Sequence, residues 1–222
     1  IAGGPGINAN GSGVAAVLET ALQLGNSPQI KNAVRFAFWG AGETGLEGST
    51  QYVRGLAPEA LGDIALYLNF DMLGSINTGY FTYDGDQSAE ATPTKPAPEG
   101  SAGIERTLAG YLNLAGVRPA DMPISNTTDY SPFLAAGVPV GGATTGSSQR
   151  KTAVQARLWG GKAGAAFDPN YHTPRDTIDT VDAHAMSVMG PAAAFVVGSY
   201  AQSIEGANVV PGRQDRDGRR RE

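Results

Sequence analysis

The stretch Arg35-Phe-Ala-Phe-Trp-Gly-Ala-Gly-Glu-Thr-Gly-Leu-Glu-Gly-Ser49 decides how this chain is expected to fold. Its first half is largely apolar and predicts a buried strand over residues 33–39, after which two glycines predict a tight turn. A helix is expected over residues 46–54. Glu43 lies on the turn, and because ligands of open α/β sheets bind at the carboxyl ends of the strands, it is a candidate functional residue. A single turn glutamate is more often a solvated surface group.

A second acid, Asp71, lies near the end of the run Ile-Ala-Leu-Tyr-Leu-Asn-Phe-Asp-Met-Leu at residues 64–73. This nearly continuous apolar run predicts a central parallel strand that is covered on both faces. A charge at its end is costly to bury without a partner, so Asp71 is expected to bind a cation, cap a turn or pair with a base. We therefore expect Glu43 and Asp71 to face one crevice.

The remaining pattern predicts an α/β fold with an open, mostly parallel or mixed sheet between layers of helices. A glycine-rich loop at residues 3–13 lacks both a preceding strand and a Gly-Lys-Ser/Thr sequence, which argues against a phosphate-binding loop. Helices are expected at residues 14–24, 101–115 and 181–202, and further strands at residues 79–84 and 138–143.

The chain contains two histidines, and one of them is a candidate ligand. His172 lies in a loop rich in proline, aromatic and acidic residues, and Asp176 is close enough in sequence to orient its imidazole. A ligand and an ordinary hydrogen-bonded loop residue both remain open as interpretations of His172. His184, near the start of the last helix, is expected to be a surface residue.

Composition limits the possible functions. The 222 residues, 41% of them hydrophobic, suffice for one sizeable domain. The formal charge of -5 argues against a nucleic-acid surface. Cysteine is absent, so any metal must be bound by His, Asp and Glu. No apolar run approaches the ~20 residues that cross a bilayer. The chain opens in what looks like a loop within a domain, and its charged last residues, 206–222, are expected to be disordered.

Six motifs in order between about residue 3 and residue 203 resemble the M28 family of zinc aminopeptidases, most closely the secreted, Streptomyces-type leucine aminopeptidases. They are Gly-Pro-Gly-Ile-Asn-x-Asn-Gly-Ser-Gly, Phe-Trp-Gly-Ala-x-Glu-x-Gly-Leu-x-Gly-Ser, Leu-Asn-Phe-Asp-Met-Leu-Gly-Ser, Asp-Tyr-x-Pro-Phe, Gly-Val-Pro-Val-Gly-Gly and Tyr-His-x-x-x-Asp-Thr. The resemblance implies a partial, zinc-peptidase-like domain over residues 1–205 that lacks its N-terminal part, followed by the charged tail. It also implies an extracellular monomer that acts on peptide or protein N-termini, without nucleic-acid or membrane partners.

The resemblance also implies a set of site residues. In the family, two zinc ions share a water molecule that attacks the scissile carbonyl. Glu43, Asp71 and His172 match three of the five ligand positions, and Tyr171 matches the tyrosine that steadies the tetrahedral intermediate. The zinc ion that is bound by Glu43 and His172 is not the one that is bound by Asp71. Two further acids are placed behind the ligands, where they would orient them: Asp129 and Asp176.

Three catalytic positions of the family depart from its pattern. Ala9 stands where the aspartate that bridges both zinc ions is expected, and its methyl group supplies neither charge nor lone pair. Gly42 stands where the general-base glutamate is expected, and loss of such a base typically costs ~10² to 10⁴ in rate. A ligand histidine is expected upstream of Ile1. We therefore expect reduced or absent zinc occupancy and impaired hydrolysis.

Three functions remain open at this point. The first is a metallo-aminopeptidase, a hydrolase that removes N-terminal, mostly apolar, residues from peptides. The second is an inactive descendant or fragment that binds peptides or acts as a scaffold. The third is acyl transfer of the glutaminyl cyclase kind, on a related fold with one zinc ion, but that chemistry also uses the acids that Ala9 and Gly42 replace.

Overall fold

The computed structural model describes residues 4–26, 29–89, 96–205, 210–216 and 218–219. Helices and strands alternate along most of the chain, as expected for an α/β domain. The helices are α1 (Gly13–Gly25), α2 (Glu47–Gly55), α3 (Pro58–Asp63), α4 (Ser101–Leu114), α5 (Ser131–Ala135), α6 (Ala153–Trp159) and α7 (Ala183–Gln202), and the strands are β1 (Tyr67–Phe70), β2 (Phe81–Tyr83), β3 (Ala120–Met122) and β4 (Val140–Thr144).

The described strands form one mixed sheet in the order β1-β4-β2-β3. β1 pairs in parallel with β4, with Tyr67 opposite Val140, and β2 pairs in parallel with β3, with Thr82 opposite Asp121. β2 and β4 are antiparallel. Two of the three pairings are therefore parallel, which confirms the expected α/β sheet and brings the carboxyl ends of β1 and β4 to one edge.

Two apolar clusters hold the helices on the sheet. α4 and α7 contribute Ile104, Leu108 and Met189 to the larger cluster, and all three side chains are fully buried. The second cluster is built around Tyr130 of the loop before α5 and Val140 of β4. The sheet is therefore covered on both faces, and its loops at the β1 end are the part left open.

The strand predicted over residues 33–39 is wrong in the structure, where this segment joins no ladder with any other described part of the chain. Two of its apolar side chains, Val34 and Phe36, nevertheless pack against the larger apolar cluster. An apolar run predicts burial, but a strand also needs a neighbouring strand with free backbone groups. None of residues 33–39 is fully buried and Phe38 is 50% exposed, so the prediction of a buried strand is wrong in burial as well as in pairing.

Part of the segment expected to be disordered has defined contacts. Arg213 donates to Asp63 Oδ1 at 2.8 Å, and the buried Arg216 donates to the carbonyl oxygen of Gly62 at 3.2 Å. Arg219 donates to the carbonyl of Ile64. These carbonyls lie at the C-terminal end of α3, where a helix has oxygens without intrahelical donors. The arginines of residues 210–219 thus cap α3, which low apolar content alone did not predict; residues 206–209, 217 and 220–222 of the tail lie outside the described residues.

Three elements were missed, namely α3, α6 and β3. α6 lies in a segment expected to be a loop, although Thr152 and Gln155 form a complete capping box, with the Gln155 N–H donating to Thr152 Oγ1 at 3.1 Å. β3 is short and carries the polar Asp121, so its pattern gave no strand signal. In the part of the chain that the structure describes, no helix combines the length and apolar character that crossing a bilayer requires.

Candidate functional site

A crevice of about 380 Å³ opens at the carboxyl end of β1. Asp71 directly follows β1, and the short helical turn Gly42–Thr44 carries Glu43 to the same crevice. The glycine-rich loop before α1 forms another wall. The polar and small residues that line it include Ala9, Asn10, Gly42, Glu43, Asn69, Asp71, Thr127, Thr128, Asp129 and Tyr171. The expectation that Glu43 and Asp71 face one crevice is met.

His172 joins this group through a direct contact with Glu43. Its Nε2 lies 3.0 Å from Glu43 Oε1, and the two side chains are 33% and 55% exposed. His172 has a φ of +58°, which reverses the chain after Tyr171. The Tyr171 ring stacks on the imidazole with the ring centres 3.7 Å apart. The pair predicted from two distant parts of the sequence therefore comes together at the mouth of the crevice.

Asp71 and Asp129 place carboxylates whose charge is not compensated in the interior of the crevice. Burial, followed by the nearby carboxylates of Asp129 and Glu43, raises the pKa of Asp71 to about 6, against a lowering by His172. Burial also raises the pKa of Asp129, although Ser49 Oγ donates to its Oδ1 at 2.7 Å. No hydrogen bond to the Asp71 carboxylate is found among the described residues. Such mutual repulsion is what a bound cation relieves.

Tyr171 remains a proton donor at neutral pH. Burial, together with the negative charges of Glu43 and Asp71, raises the pKa of its phenol to about 12. A neutral phenol can donate a hydrogen bond to an oxygen that gains negative charge, which is the role that the sequence assigns to this residue.

Asp176 has a different role from the one predicted. Its Oδ1 accepts from the backbone N–H of Asn8 at 2.7 Å, and its Oδ2 accepts from that of Ala9 at 3.1 Å. Asp176 was expected to orient the His172 imidazole, yet both of its carboxylate oxygens accept hydrogen bonds from the backbone of the glycine-rich loop. Asp176 is fully buried beneath this loop, whereas the His172 side chain is 33% exposed. Asp176 therefore fixes the wall of the crevice that carries Ala9.

Several residues of this wall were missed by sequence reasoning. The fully buried Asn8 donates from Nδ2 to Asp168 Oδ2 at 2.6 Å and accepts at Oδ1 from the Gly74 N–H at 3.0 Å. Thr128 lines the crevice with a buried hydroxyl that has no partner among the described residues. Asn8 lies inside a quoted motif and Thr128 directly precedes another, next to the singled-out residues Ala9 and Asp129, and that position was the available signal.

His184 has the position expected of it. It is exposed at the start of α7, and its backbone N–H donates to Asp182 Oδ1 at 2.9 Å. Asp182 is the N-cap of that helix. His184 thus lies apart from the crevice, and His172 is the histidine available to a ligand there.

The two substituted positions both face the crevice. Ala9 is 8% exposed, with its backbone fixed by Asp176, and Gly42 lies beside Asp129. A side chain at position 42 fits, since the nearest atom to its Cβ, Asp129 Oδ2, would be 3.8 Å away. A side chain at position 42 therefore has room to face the crevice.

The residues present fit a complete zinc site only in part. Glu43 and His172 converge as two ligands of one ion do, but catalytic zinc sites usually have three protein ligands. Among the described residues, one set of three acids or histidines brings its ligand atoms within 4.8 Å of one another, and that set is not Glu43, Asp71 and His172. Asp71 therefore stands apart from the pair, and a three-ligand site does not form from these residues.

Two bacterial proteins of similar sequence are aminopeptidases by name. The chain is 57% identical over 215 residues to the probable lipoprotein aminopeptidase LpqL of Mycobacterium tuberculosis, which covers 96% of this chain and 43% of that protein. It is 47% identical over 193 residues to an aminopeptidase of Pseudomonas aeruginosa, covering 87% of this chain and 35% of that protein. The chain thus spans less than half the length of these relatives.

A comparison of the fold with solved structures and a match to a protein family agree with the sequence relatives. A zinc aminopeptidase from Bacillus subtilis superposes with a TM-score of 0.69 at 22% identity, over 93% of this chain and 45% of that one, which shows a shared fold. Residues 1–197 match peptidase family M28. The motifs, the crevice at the strand ends and this match lead to one conclusion: the chain belongs to peptidase family M28.

Proposed function

We propose that this chain is the binding and catalytic region of an M28 aminopeptidase, that its crevice receives peptide N-termini, and that its own hydrolytic activity is strongly reduced. The observation that carries the proposal is the convergence of Glu43, His172, Tyr171 and Asp71 on one crevice, beside substitutions at positions 9 and 42. The aminopeptidase names of its relatives support the lineage.

Electrostatics favour a positively charged ligand in the crevice. Burial raises the pKa values of Asp71 and Asp129, and the charge of Glu43 raises both as well, so a cation bound among these acids lowers the free energy of the folded state. The protonated α-amino group of a peptide is one such cation, and zinc is the other. Recognition of a free N-terminus can therefore persist where hydrolysis has weakened.

Apolar side chains support a preference for apolar N-terminal residues. They share the crevice with the three acids and supply a surface that a leucine-like side chain can cover, which is worth about 25 cal/mol for each Å² of apolar area removed from water. This group comprises Val14, Val17, Phe38, Trp39, Leu46, Leu68 and Phe70.

Zinc, when bound, activates a water molecule and polarises the scissile carbonyl. Glu43 and His172 are the residues that would hold it, with Asp71 at a separate position. Tyr171 would donate a hydrogen bond to the carbonyl oxygen of the substrate. Gly42 has no group to accept a proton, and Ala9 adds no ligand, which is why we place the activity of this chain well below that of a complete site.

The test is the double variant Ala9→Asp/Gly42→Glu, assayed for hydrolysis of leucine p-nitroanilide with zinc present. We expect at least about a hundredfold gain over the parent, because a positioned base alone is worth ~10² or more. The matched control is Ala57→Asp/Gly25→Glu, which makes the same charge change at exposed positions. Equal activities of the parent and both variants would refute the proposed roles of positions 9 and 42.

A second observable separates binding from cleavage. Titration of the parent with leucinamide, followed by tryptophan fluorescence, is expected to give saturable binding that His172→Ala weakens, while N-acetyl-leucinamide, which lacks the charged amino group, does not bind. Equal binding of the two ligands would contradict recognition of the free N-terminus.

We also infer that the protein works outside the cytoplasm. The support is the resemblance to secreted leucine aminopeptidases and the name of the relative that is called a probable lipoprotein. Fractionation of the source cells tests this, and recovery of the protein from the cytosol alone would refute it.

A further inference from the structure

A single buried amide joins the glycine-rich loop to the loop that follows β1. Asn8 is fully buried and directly precedes Ala9, which lines the crevice. Its Oδ1 accepts from the Gly74 N–H at 3.0 Å, and its Nδ2 donates to Ser75 Oγ at 3.3 Å. Gly74 and Ser75 closely follow Asp71 in the chain. The side chain of Asn8 therefore holds position 9 and the end of β1 together.

The same amide is bonded to the loop that carries Tyr171 and His172. Its Nδ2 donates to Asp168 Oδ2 at 2.6 Å, and Asp168 Oδ1 accepts from the Asn170 N–H at 2.8 Å. The Tyr171 N–H also donates to the carbonyl oxygen of Asp168 at 3.4 Å. One carboxylate therefore links Asn8 to the residue directly before Tyr171, so that three segments distant in sequence meet at one amide.

The carboxylate of Asp168 is buried without a charged partner. Asp168 is 2% exposed, and it has no ion-pair partner among the described residues. Its side-chain bonds come from a neutral amide and a backbone N–H. Burying a carboxylate in this way costs free energy, and an apolar pair of similar shape would cost less. What a hydrogen bond to a carboxylate supplies is a short, directed contact, which is a means of fixing one loop relative to another.

We propose that Asn8 and Asp168 are positioning residues that fix the place of His172 relative to the wall of the crevice that carries position 9. Neither side chain is among the described residues that line the crevice, so both act through the loops that they join. Where ligand binding is concerned, this role rests on the function proposed above. A displacement of about 1 Å at such a site is enough to weaken it strongly.

The alternative is that the bond between Asn8 and Asp168 only stabilises the fold. A change at Asp168 would then lower the free energy of unfolding and leave the surroundings of His172 unaltered in the folded molecule. A direct report on His172 distinguishes the two explanations. The chain offers such a report, because it has two histidines and the other one, His184, lies apart from the crevice.

The test is the NMR spectrum of the two histidine side chains at one fixed pH, recorded on EDTA-treated parent and Asp168→Asn proteins. An amide at position 168 presents an NH₂ group to one of the two donors that Asp168 accepts from, so one of these bonds is lost. We expect the His172 signal to move and the His184 signal to stay. Leucinamide is expected to bind about tenfold more weakly, as when a group that supports a ligand residue is removed.

The double variant Asn8→Asp/Asp168→Asn exchanges the donor and the acceptor. The amide placed at position 168 can donate to the carboxylate placed at position 8, while the N–H groups of Gly74 and Asn170 still meet an oxygen. We expect this variant to restore the parent signal of His172 and the parent affinity for leucinamide. Asp179→Asn is the matched control, because it removes one exposed carboxylate elsewhere, and it should leave both signals in place.

A folded Asp168→Asn protein that is less stable in urea but keeps the His172 signal would overturn the proposal. Movement of both histidine signals would also overturn it, because it would indicate a general loosening of the fold. If Asp168→Asn does not fold, the double variant decides: it must fold and reproduce both signals, and a double variant that does not would refute the positioning role. Failure of the function proposed for the crevice is recognised separately, since the parent would then not bind leucinamide while the His172 signal would still respond.

Discussion

Replacing Asp71 by asparagine is predicted to stabilise the metal-free protein. Burial raises the pKa of Asp71 from 3.8 to about 6, with help from Asp129 and Glu43. This rise of about two pKa units corresponds to about 3 kcal/mol between the charged and neutral forms, because one unit is worth about 1.36 kcal/mol. No hydrogen bond to the carboxylate among the described residues is lost by the change. The magnitude is an upper bound, since relaxation around the charge reduces it.

The sign follows from proton linkage. At pH values below 3.8, Asp71 is neutral in the folded and unfolded states and costs no stability. Between pH 3.8 and about 6 the unfolded chain loses this proton first, so the parent loses stability as the pH rises; above about pH 6 the loss is constant. Asparagine does not titrate. The variant should therefore match the parent near pH 4 and exceed its stability by about 1 to 3 kcal/mol at pH 8.

The assay is urea unfolding followed by tryptophan fluorescence at pH 4, 6 and 8, on EDTA-treated protein. The comparison is between the Asp71→Asn variant and the parent at each pH, so that other titrating groups cancel. Asp179→Asn serves as the control and should show no pH-dependent difference. If Asp71→Asn is equal to or less stable than the parent at pH 8, the argument that the crevice holds an uncompensated carboxylate is wrong.

Three further predictions follow from single contacts. His172→Ala should abolish zinc binding measured by competition with a chromogenic chelator, whereas His184→Ala should leave it unchanged; equal effects would refute the assignment of His172. Asp176→Asn should lower the free energy of unfolding in urea by about 2 kcal/mol, because a buried acceptor for two backbone N–H groups is impaired; an unchanged midpoint would contradict its role in fixing the loop. Arg216→Ala should cost about 1 to 2 kcal/mol through lost bonds to α3, and no cost would restore the expectation of a disordered tail.

The candidate site could be predicted from the sequence to the level of residue identity. Glu43, Asp71, Tyr171 and His172 were assigned from short motifs, and the structure brings them to one crevice. Their roles as ligands and catalytic group stay predictions. Motifs carry this information because local turns position each side chain relative to its own strand or loop.

Predictions of strand pairing and side-chain contacts failed where they depended on a second segment of the chain that is distant in sequence. Residues 33–39 have the composition of a strand, but pairing is a property of two segments and no composition specifies the second. Asp176 is four residues from His172, yet its carboxylate bonds to the glycine-rich loop, which is a contact between distant segments that sequence spacing does not specify. The domain boundary at residue 205 stays a prediction.

We propose above that the crevice is an M28 metal site and that the residue at position 9 weakens it. Zinc content per chain tests it most directly, by elemental analysis of protein from zinc-replete cells, dialysed without chelator, for the parent and Ala9→Asp. We predict clearly less than one zinc per parent chain and about one per chain of the variant, because Glu43, His172 and the new carboxylate would supply the three ligands of a catalytic zinc site. About two zinc ions per parent chain, or no gain in the variant, would contradict the account.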